Sequence, residues 1–472
     1  MMRKRSIPVW IAAIWVGCLT GCKNDTVMSG EYDPSQPVVF ADFMPKEGSV
    51  RTRLYITGSN FGTDISRIHV TVGGKTAKVI GTDGNKIYCM VPRRAYSGEI
   101  EVKITSAQGD TVTDFTFPDK LAYQAKTTVG TLIRKVDENG NSSNADGAVS
   151  EASFNKPAWM MLQSDGKTYK DLYVGELRTS IRKIDLMEQT VSTVITNAQA
   201  HCVRMQTFSF TPEGDTLLIC DDNTRGSDAT LPSMYYALRS EKFRKAQVYF
   251  YDWCAYSCVV NPIDHTVYTT NYLKGAVRKK NGQFNATTQK WEGKTMFNVG
   301  DFSTMTGLQM NIVMHPTGKY MYILPTSNKP NSILKSNYNE STHEFEYPIV
   351  LAGNFTQAGY VDGVGTIARF REVYQGVFVK NPAYAGKADE YDFYVTDRGN
   401  HCIRKVTPEG VVTTFAGRGS ASADGSHDGY IDGDPRQEAR FNRPTGIAYD
   451  EEMQTFYVCE EGNHSIRYIT TE

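Results

Sequence analysis

The chain repeats itself, and the repeat constrains its fold more than any other feature. Gly359-Tyr360-Val361-Asp362-Gly363 returns as Gly429-Tyr430-Ile431-Asp432-Gly433, and Ala368-Arg369-Phe370 returns as Ala439-Arg440-Phe441. The stretch from Phe393 to Arg404 returns from Phe456 to Arg467, sharing the core Gly-Asn-His-x-Ile-Arg. An earlier copy holds Asp146-Gly147, Phe154-Asn155-Lys156-Pro157, Leu172-Tyr173-Val174 and Ser180-Ile181-Arg182-Lys183. Three degenerate copies lie between, around Phe208–Ile219, Cys258–Arg278 and Ile312–Ile323. Each unit reads as a strand, a turn, a strand, a polar loop and an Ile-Arg-Lys-type strand. A last strand often ends in Val-Thr-Thr-Phe-Ala-Gly (Val412–Gly417) or Val-Leu-Ala-Gly (Val350–Gly353). One such unit cannot bury its apolar face alone, so neighbours must stack.

These motifs resemble the NHL repeat family of β-propellers, strongly in the first, fifth and sixth copies and weakly in the middle three. The resemblance implies six blades over residues 126–472, at roughly 58 residues each, with the excess in loops. The last copy stops at Ile469-Thr470 without its final strand, and Thr127-Thr128-Val129-Gly130-Thr131-Leu132-Ile133 supplies that pattern. The N-terminal strand is therefore expected to complete the last blade and leave no open sheet edge.

Residues 38–122 read differently. Strands with period-two alternation are separated by glycine turns. The order Pro45-x-x-Gly48, Ile56-Thr57-Gly58-Ser59-Asn60-Phe61-Gly62, Val70-Thr71-Val72-Gly73-Gly74 and Val91-Pro92 resembles the IPT/TIG family of immunoglobulin-like domains. That resemblance implies a small β-sandwich without catalytic apparatus, acting as a stalk. The whole is then all-β: an immunoglobulin-like sandwich followed by a six-bladed propeller.

The first 22 residues read as an address. Arg3-Lys4-Arg5 precedes an apolar run, Ile7–Val16, too short to span a bilayer, and Leu19-Thr20-Gly21-Cys22 follows. This resembles a bacterial lipobox, which implies lipidation of Cys22. Lys23-Asn24-Asp25 resembles the export tags of Bacteroidetes surface lipoproteins, implying an outer-membrane anchor facing the exterior. Residues 23–37 are polar and read as a flexible tether. Nine cysteines less Cys18 and Cys22 leave seven at scattered spacing, read as mostly buried free thiols.

Propeller chemistry gathers on loops. Two sets reach one face: those before each first strand, and those between second and third strands. They place Asn155, Lys156, Trp253, Tyr256, Tyr272, Arg371, Tyr374, Arg398, His401, Arg443 and His464 there as candidate ligand-binding residues. Aromatic rings stack on sugars while Asn, Arg and carboxylates bond hydroxyls. His401 and His464 also belong to a motif that recurs across the resembled family whatever the function, which reads as turn and packing. Arg182, Arg278, Arg404 and Arg467 repeat at equivalent positions and read as scaffolding between blades. The Asp-Gly pairs read as loop turns.

With 51 basic and 52 acidic residues the net charge is −1, which excludes a broadly basic nucleic-acid-coating protein. No G-x-S-x-G elbow, close carboxylate pair or matching channel ligand set stands out, so no catalytic residue, metal or cofactor is assigned. The expected function is a surface lipoprotein capturing a glycan or peptide beside an outer-membrane transporter. The alternatives are a protein–protein platform in the envelope, or an enzyme of the propeller lyase or lactonase type.

Overall fold

A computed structural model describes residues 30–223, 231–251, 254–271, 275–285, 290–299, 308–326, 331–418 and 425–472. The chain divides into two compact units, one ending at Ala125 and one from Lys126 to Glu472.

In the first unit seven strands pair in the order Val39–Met44, Arg53–Ser59, Lys86–Met90, Lys75–Thr82, Ile68–Val72, Ile100–Thr105, Thr111–Thr116. Alternate residues point inward: Leu54, Ile56, Val70, Val72, Ile87, Cys89, Ile100 and Val102 are all buried, with Phe43 and Phe61 capping them. Residues 30–37 depart from the flexible tether expected of 23–37. The Asn60 side chain donates to the carbonyls of Asp33 (2.8 Å) and Gln36 (2.7 Å) and accepts from the Asp33 amide (2.8 Å). Three bonds from one amide side chain hold this stretch against the sandwich.

The second unit is the six-bladed propeller that the repeats imply. The inner strands are Pro157–Ser164, Met205–Phe210, Ala255–Val260, Met310–Met314, Val373–Lys380 and Pro444–Asp450. Over their first halves the inner strands are buried on both faces, as are most residues of the second strands. Gly376 is required where the inner strand of blade 5 passes under its neighbour: a Cβ there would lie 2.1 Å from the Phe393 ring. Closure follows the sequence expectation. Thr127–Arg134 pairs antiparallel with Ser465–Thr471 and becomes the outer strand of blade 6.

Side chains close the ring a second time, around its axis. Trp159 Nε1 donates to the Phe208 carbonyl (2.9 Å) and Thr207 to that of Tyr256 (3.1 Å). Thr270 donates to Met310 (2.7 Å) and Asn311 to Tyr374 (2.7 Å). Thr396 donates to Thr445 (2.6 Å), and Thr445 to Pro157 (2.9 Å). Each bond joins one blade to the next, and six of them complete the circle. Gln375 then crosses the channel from blade 5. Its amide accepts from the Met160 (3.0 Å) and Ile447 (3.2 Å) amides and donates to the Met160 carbonyl (2.7 Å).

The repeated arginines correct one expectation. Arg404 pairs with Asp397 (2.9 Å) and with Asp362 (2.7 Å), both of its own blade. Arg467 does the same with Glu460 (3.0 Å) and Asp432, and Arg182 pairs with Asp146 (2.8 Å). These guanidinium groups are fully buried and strap the blade's leading loop to its third strand, rather than joining blades. The Asp of each Asp-Gly pair is the anchor of that strap, not merely a turn residue. Arg278 departs from the pattern and bonds Thr295 and the Gly293 carbonyl in its own sheet.

Candidate functional site

The inner strands all run the same way, so their starts converge at one end of the channel together with the ends of the second strands. Tyr256 begins the inner strand of blade 3 and Tyr374 that of blade 5. Both are buried, and Tyr256 donates its hydroxyl to Gln309 Oε1 of blade 4 (3.1 Å). Burial pushes the Tyr256 hydroxyl up to about 12, and burial with the neighbouring Tyr256 pushes Tyr374 well above its ordinary value. Both phenols are therefore neutral hydrogen-bonding groups.

Arg398 lies over the Tyr374 ring, 5.7 Å from its centre. Its Nε donates to Glu461 Oε2 (3.2 Å), its Nη2 reaches the same oxygen, and its Nη1 reaches Glu372 (3.5 Å). Arg443 approaches Glu461 from the other side (3.5 Å). Burial raises the Glu461 carboxyl, but the two arginines outweigh it and hold it below the usual range. Glu372 in turn donates its amide to Asn331 Oδ1 (3.3 Å).

Blade 2 contributes Asp222, which is 3% exposed. Its Oδ2 pairs with Arg204 (2.9 Å) and accepts from Gln206 (3.4 Å). Its Oδ1 and the Nδ2 of the equally buried Asn331 have no hydrogen-bond partner among the described residues. Asp222, Arg398 and Arg178 all stand close enough to act on the Tyr256 hydroxyl. Side chains from every blade thus form a polar cluster at this end, with near-balanced charge and two buried polar atoms that have no partner among the described residues. A buried polar group without a partner costs roughly 1–3 kcal/mol, which a ligand hydroxyl can recover.

The remaining candidates fall elsewhere. His401 and His464 both sit in the left-handed region, at φ 57° and 54°. His401 Nδ1 accepts from the Arg443 amide (3.2 Å), and His464 Nδ1 meets the Asn155 carbonyl. Each thereby spans a seam to the next blade. Asn155 and Lys156 donate backbone amides to the Glu176 carboxylate (3.1 and 2.7 Å), and the Lys156 side chain is exposed. The Arg371 amide donates to Asp397 (2.8 Å), with its side chain exposed. Trp253, Tyr272 and Cys22 lie outside the described residues. The structure therefore brings Tyr256, Tyr374, Arg398 and Arg443 together.

Sequence reasoning missed Gln206, Asp222, Gln309 and Asn331 as site residues, all in degenerate copies. One signal was available: Asp221-Asp222-Asn223 ends a second strand just as Glu176, Asp397 and Glu460 do. Among the described residues no three His, Cys, Asp or Glu side chains gather to hold a metal ion. Cys254 contacts Asn223, Cys258 contacts Cys220, and all four residues are buried.

The fold is a β-sandwich unit followed by a six-bladed β-propeller. The IPT/TIG family matches residues 39–119, and the NHL repeat family residues 441–467. An auxiliary nutrient binding protein from Bacteroides ovatus ATCC 8483 is 33% identical at a TM-score of 0.79, covering 94% of this chain and 100% of its own. A second, from Bacteroides thetaiotaomicron VPI-5482, is 37% identical at 0.66 over the same shares. A putative phosphatase from the same organism is 32% identical at 0.67, covering 94% of this chain and 99% of its own. The chain belongs to the family of these Bacteroides proteins. No curated protein matches it. Among the described residues no helix is long and apolar enough to cross a membrane.

Proposed function

We propose that the chain is an accessory nutrient-binding lipoprotein of the cell surface, capturing a glycan in the polar basin around Tyr256 and Tyr374. The observation that carries the reading is the open hydrogen-bonding capacity of Asp222 and Asn331 in a buried, charge-balanced mouth beside two neutral phenols. A neutral, hydroxyl-rich ligand matches it, because hydroxyls both donate and accept. The two nutrient-binding relatives support the same role. Lipidation at Cys22 would keep the protein at the outer membrane.

A protein partner such as a transporter is supported by a separate feature. Tyr347, Ile349, Val364 and Ile367 are exposed, and the turn Gly365–Ile367 packs beside the outer strand of blade 4.

The test is affinity electrophoresis of the chain lacking residues 1–22 against a polysaccharide panel, with product release recorded alongside. Retardation by one glycan without product, weakened in Arg398→Ala, supports the reading. Product release sinks it in favour of an enzyme. No retardation and no product sinks it in favour of a protein platform.

A further inference from the structure

The channel has a second mouth, and its chemistry is the opposite of the first. Beyond Gln375 the six inner strands end around a funnel of about 420 Å³, a volume in the range of small-molecule sites. Its wall carries Met160, Phe208, Ile312, Met314, Phe378 and Ile447. No Asp, Glu, Lys or Arg is among the residues lining it.

We propose that this funnel is a separate binding site for an uncharged, apolar, ring-bearing small molecule. Most of the polar groups at its wall are engaged, and the exception, the buried His315 Nε2 without a hydrogen-bond partner, carries no charge. The Gln375 amide is spent on Met160 and Ile447, and Ser209 donates to the Phe210 carbonyl (3.4 Å). His315 is stacked on Tyr320 with ring centres 4.2 Å apart, and its Nδ1 is held by Thr317 (2.7 Å). Burial pushes this imidazole down to about 4, so it brings no charge at neutral pH. An ion entering the funnel would lose its hydration and meet no charged side chain at the wall. An apolar ring would gain instead, because Met161, Val313, Met314, Val377 and Tyr449 are only half-buried. Thioether and aromatic walls adapt to flat rings. The Gln375 side chain, tied to Met160 and Ile447, forms part of the funnel's wall.

N-phenyl-1-naphthylamine is a suitable probe: it is uncharged, has a fused two-ring core, and brightens in apolar surroundings. It is titrated onto the chain lacking residues 1–22, which keeps every described residue. Saturable binding at one site is expected. Met314→Glu and Val377→Glu, on different blades, should each weaken it at least tenfold, while Arg371→Ala at the other end leaves it unchanged. On the unaltered protein the anionic 1-anilinonaphthalene-8-sulfonate should bind at least tenfold more weakly, a comparison that does not depend on any variant folding. No saturable signal, equal affinity for the two dyes, binding that survives both glutamates in folded protein, or loss on Arg371→Ala overturns the proposal. None of these outcomes bears on glycan capture at the opposite mouth.

Discussion

Gln375 and Met160 stand 215 positions apart in sequence and are joined across the channel by two hydrogen bonds that satisfy both backbone groups of Met160. The same side chain also takes the Ile447 amide, so one glutamine on blade 5 binds blades 1 and 6.

Replacing it tests that role. Gln375→Leu keeps the bulk but strands three buried backbone groups, each costing about 1–3 kcal/mol. The expected loss is at least about 3 kcal/mol, read as a lowered urea midpoint. Glycan capture by the folded fraction should persist, because no part of the Tyr256 basin is removed.

Asp221 and Asp222 are adjacent, both buried, and expected to fail in different ways. Asp221 accepts the amides of Val203 (3.0 Å) and Arg204 (2.7 Å), so Asp221→Ala should cost about 2 kcal/mol of stability and leave affinity intact. Asp222 keeps an open oxygen at the mouth. Asp222→Ala should lower affinity for the retained glycan at least tenfold by titration calorimetry, with a smaller change in melting temperature. Equal affinity in the two variants would remove Asp222 from the site.

Glu176 predicts a pH dependence. Burial lifts its carboxyl from near 4.5 to about 6, against the pull of the Lys156 and Asn155 amides and of Arg182. The folded state therefore holds a proton that the unfolded chain releases, and stability falls as pH rises from about 4.5 through 6. The shift corresponds to about 2 kcal/mol between the two limits. Melting at pH 5 and pH 7 should show the gain at pH 5, and Glu176→Gln should reduce that difference, the remainder belonging to Asp397, which burial also lifts to about 6.

The legible parts of this molecule were those that repeat. Gly-Asn-His-x-Ile-Arg and Phe-Asn-Lys/Arg-Pro recur among blades 1, 5 and 6, which share the buried arginine strap, so the repeat and its closure could be read directly. The circle of inter-blade bonds could not. Trp159, Thr207, Thr270, Asn311, Thr396 and Thr445 perform one task with different residue types at shifted positions, which no single-sequence pattern betrays. The basin was half legible for a similar reason. Tyr256, Tyr374, Arg398 and Arg443 were legible as aromatic and basic residues on the loops of one face. Asp222 and Asn331 lie in copies too degenerate to align, and a buried polar atom is conspicuous only once its neighbours are known. The arginine strap was misread as a link between blades because sequence spacing places Asp362 and Arg404 far apart, while pairing of Gly363-Val364 with Val411-Val412 brings them together.

Ring closure itself can be broken at one atom. Gly130 lies opposite Tyr468 in the pairing that makes Thr127–Arg134 the outer strand of blade 6, and a Cβ at Gly130 would fall 2.3 Å from the Tyr468 ring and hydroxyl. Gly130→Val must therefore displace either the ring or the strand. If the strand yields, Ser465–Thr471 becomes an open sheet edge and the last blade loses its cover. The expected result is a melting temperature lower by at least about 5 °C. Trypsin should also cut faster at Lys126, Arg134 or Lys135, which flank or end the strand. Tyr468→Ala opens space for the new side chain, so the double variant should recover part of the loss. A clash confined to this pair requires the two changes to couple by about 1 kcal/mol or more. Strict additivity, with no new tryptic site, would mean that the strand does not hold the ring shut.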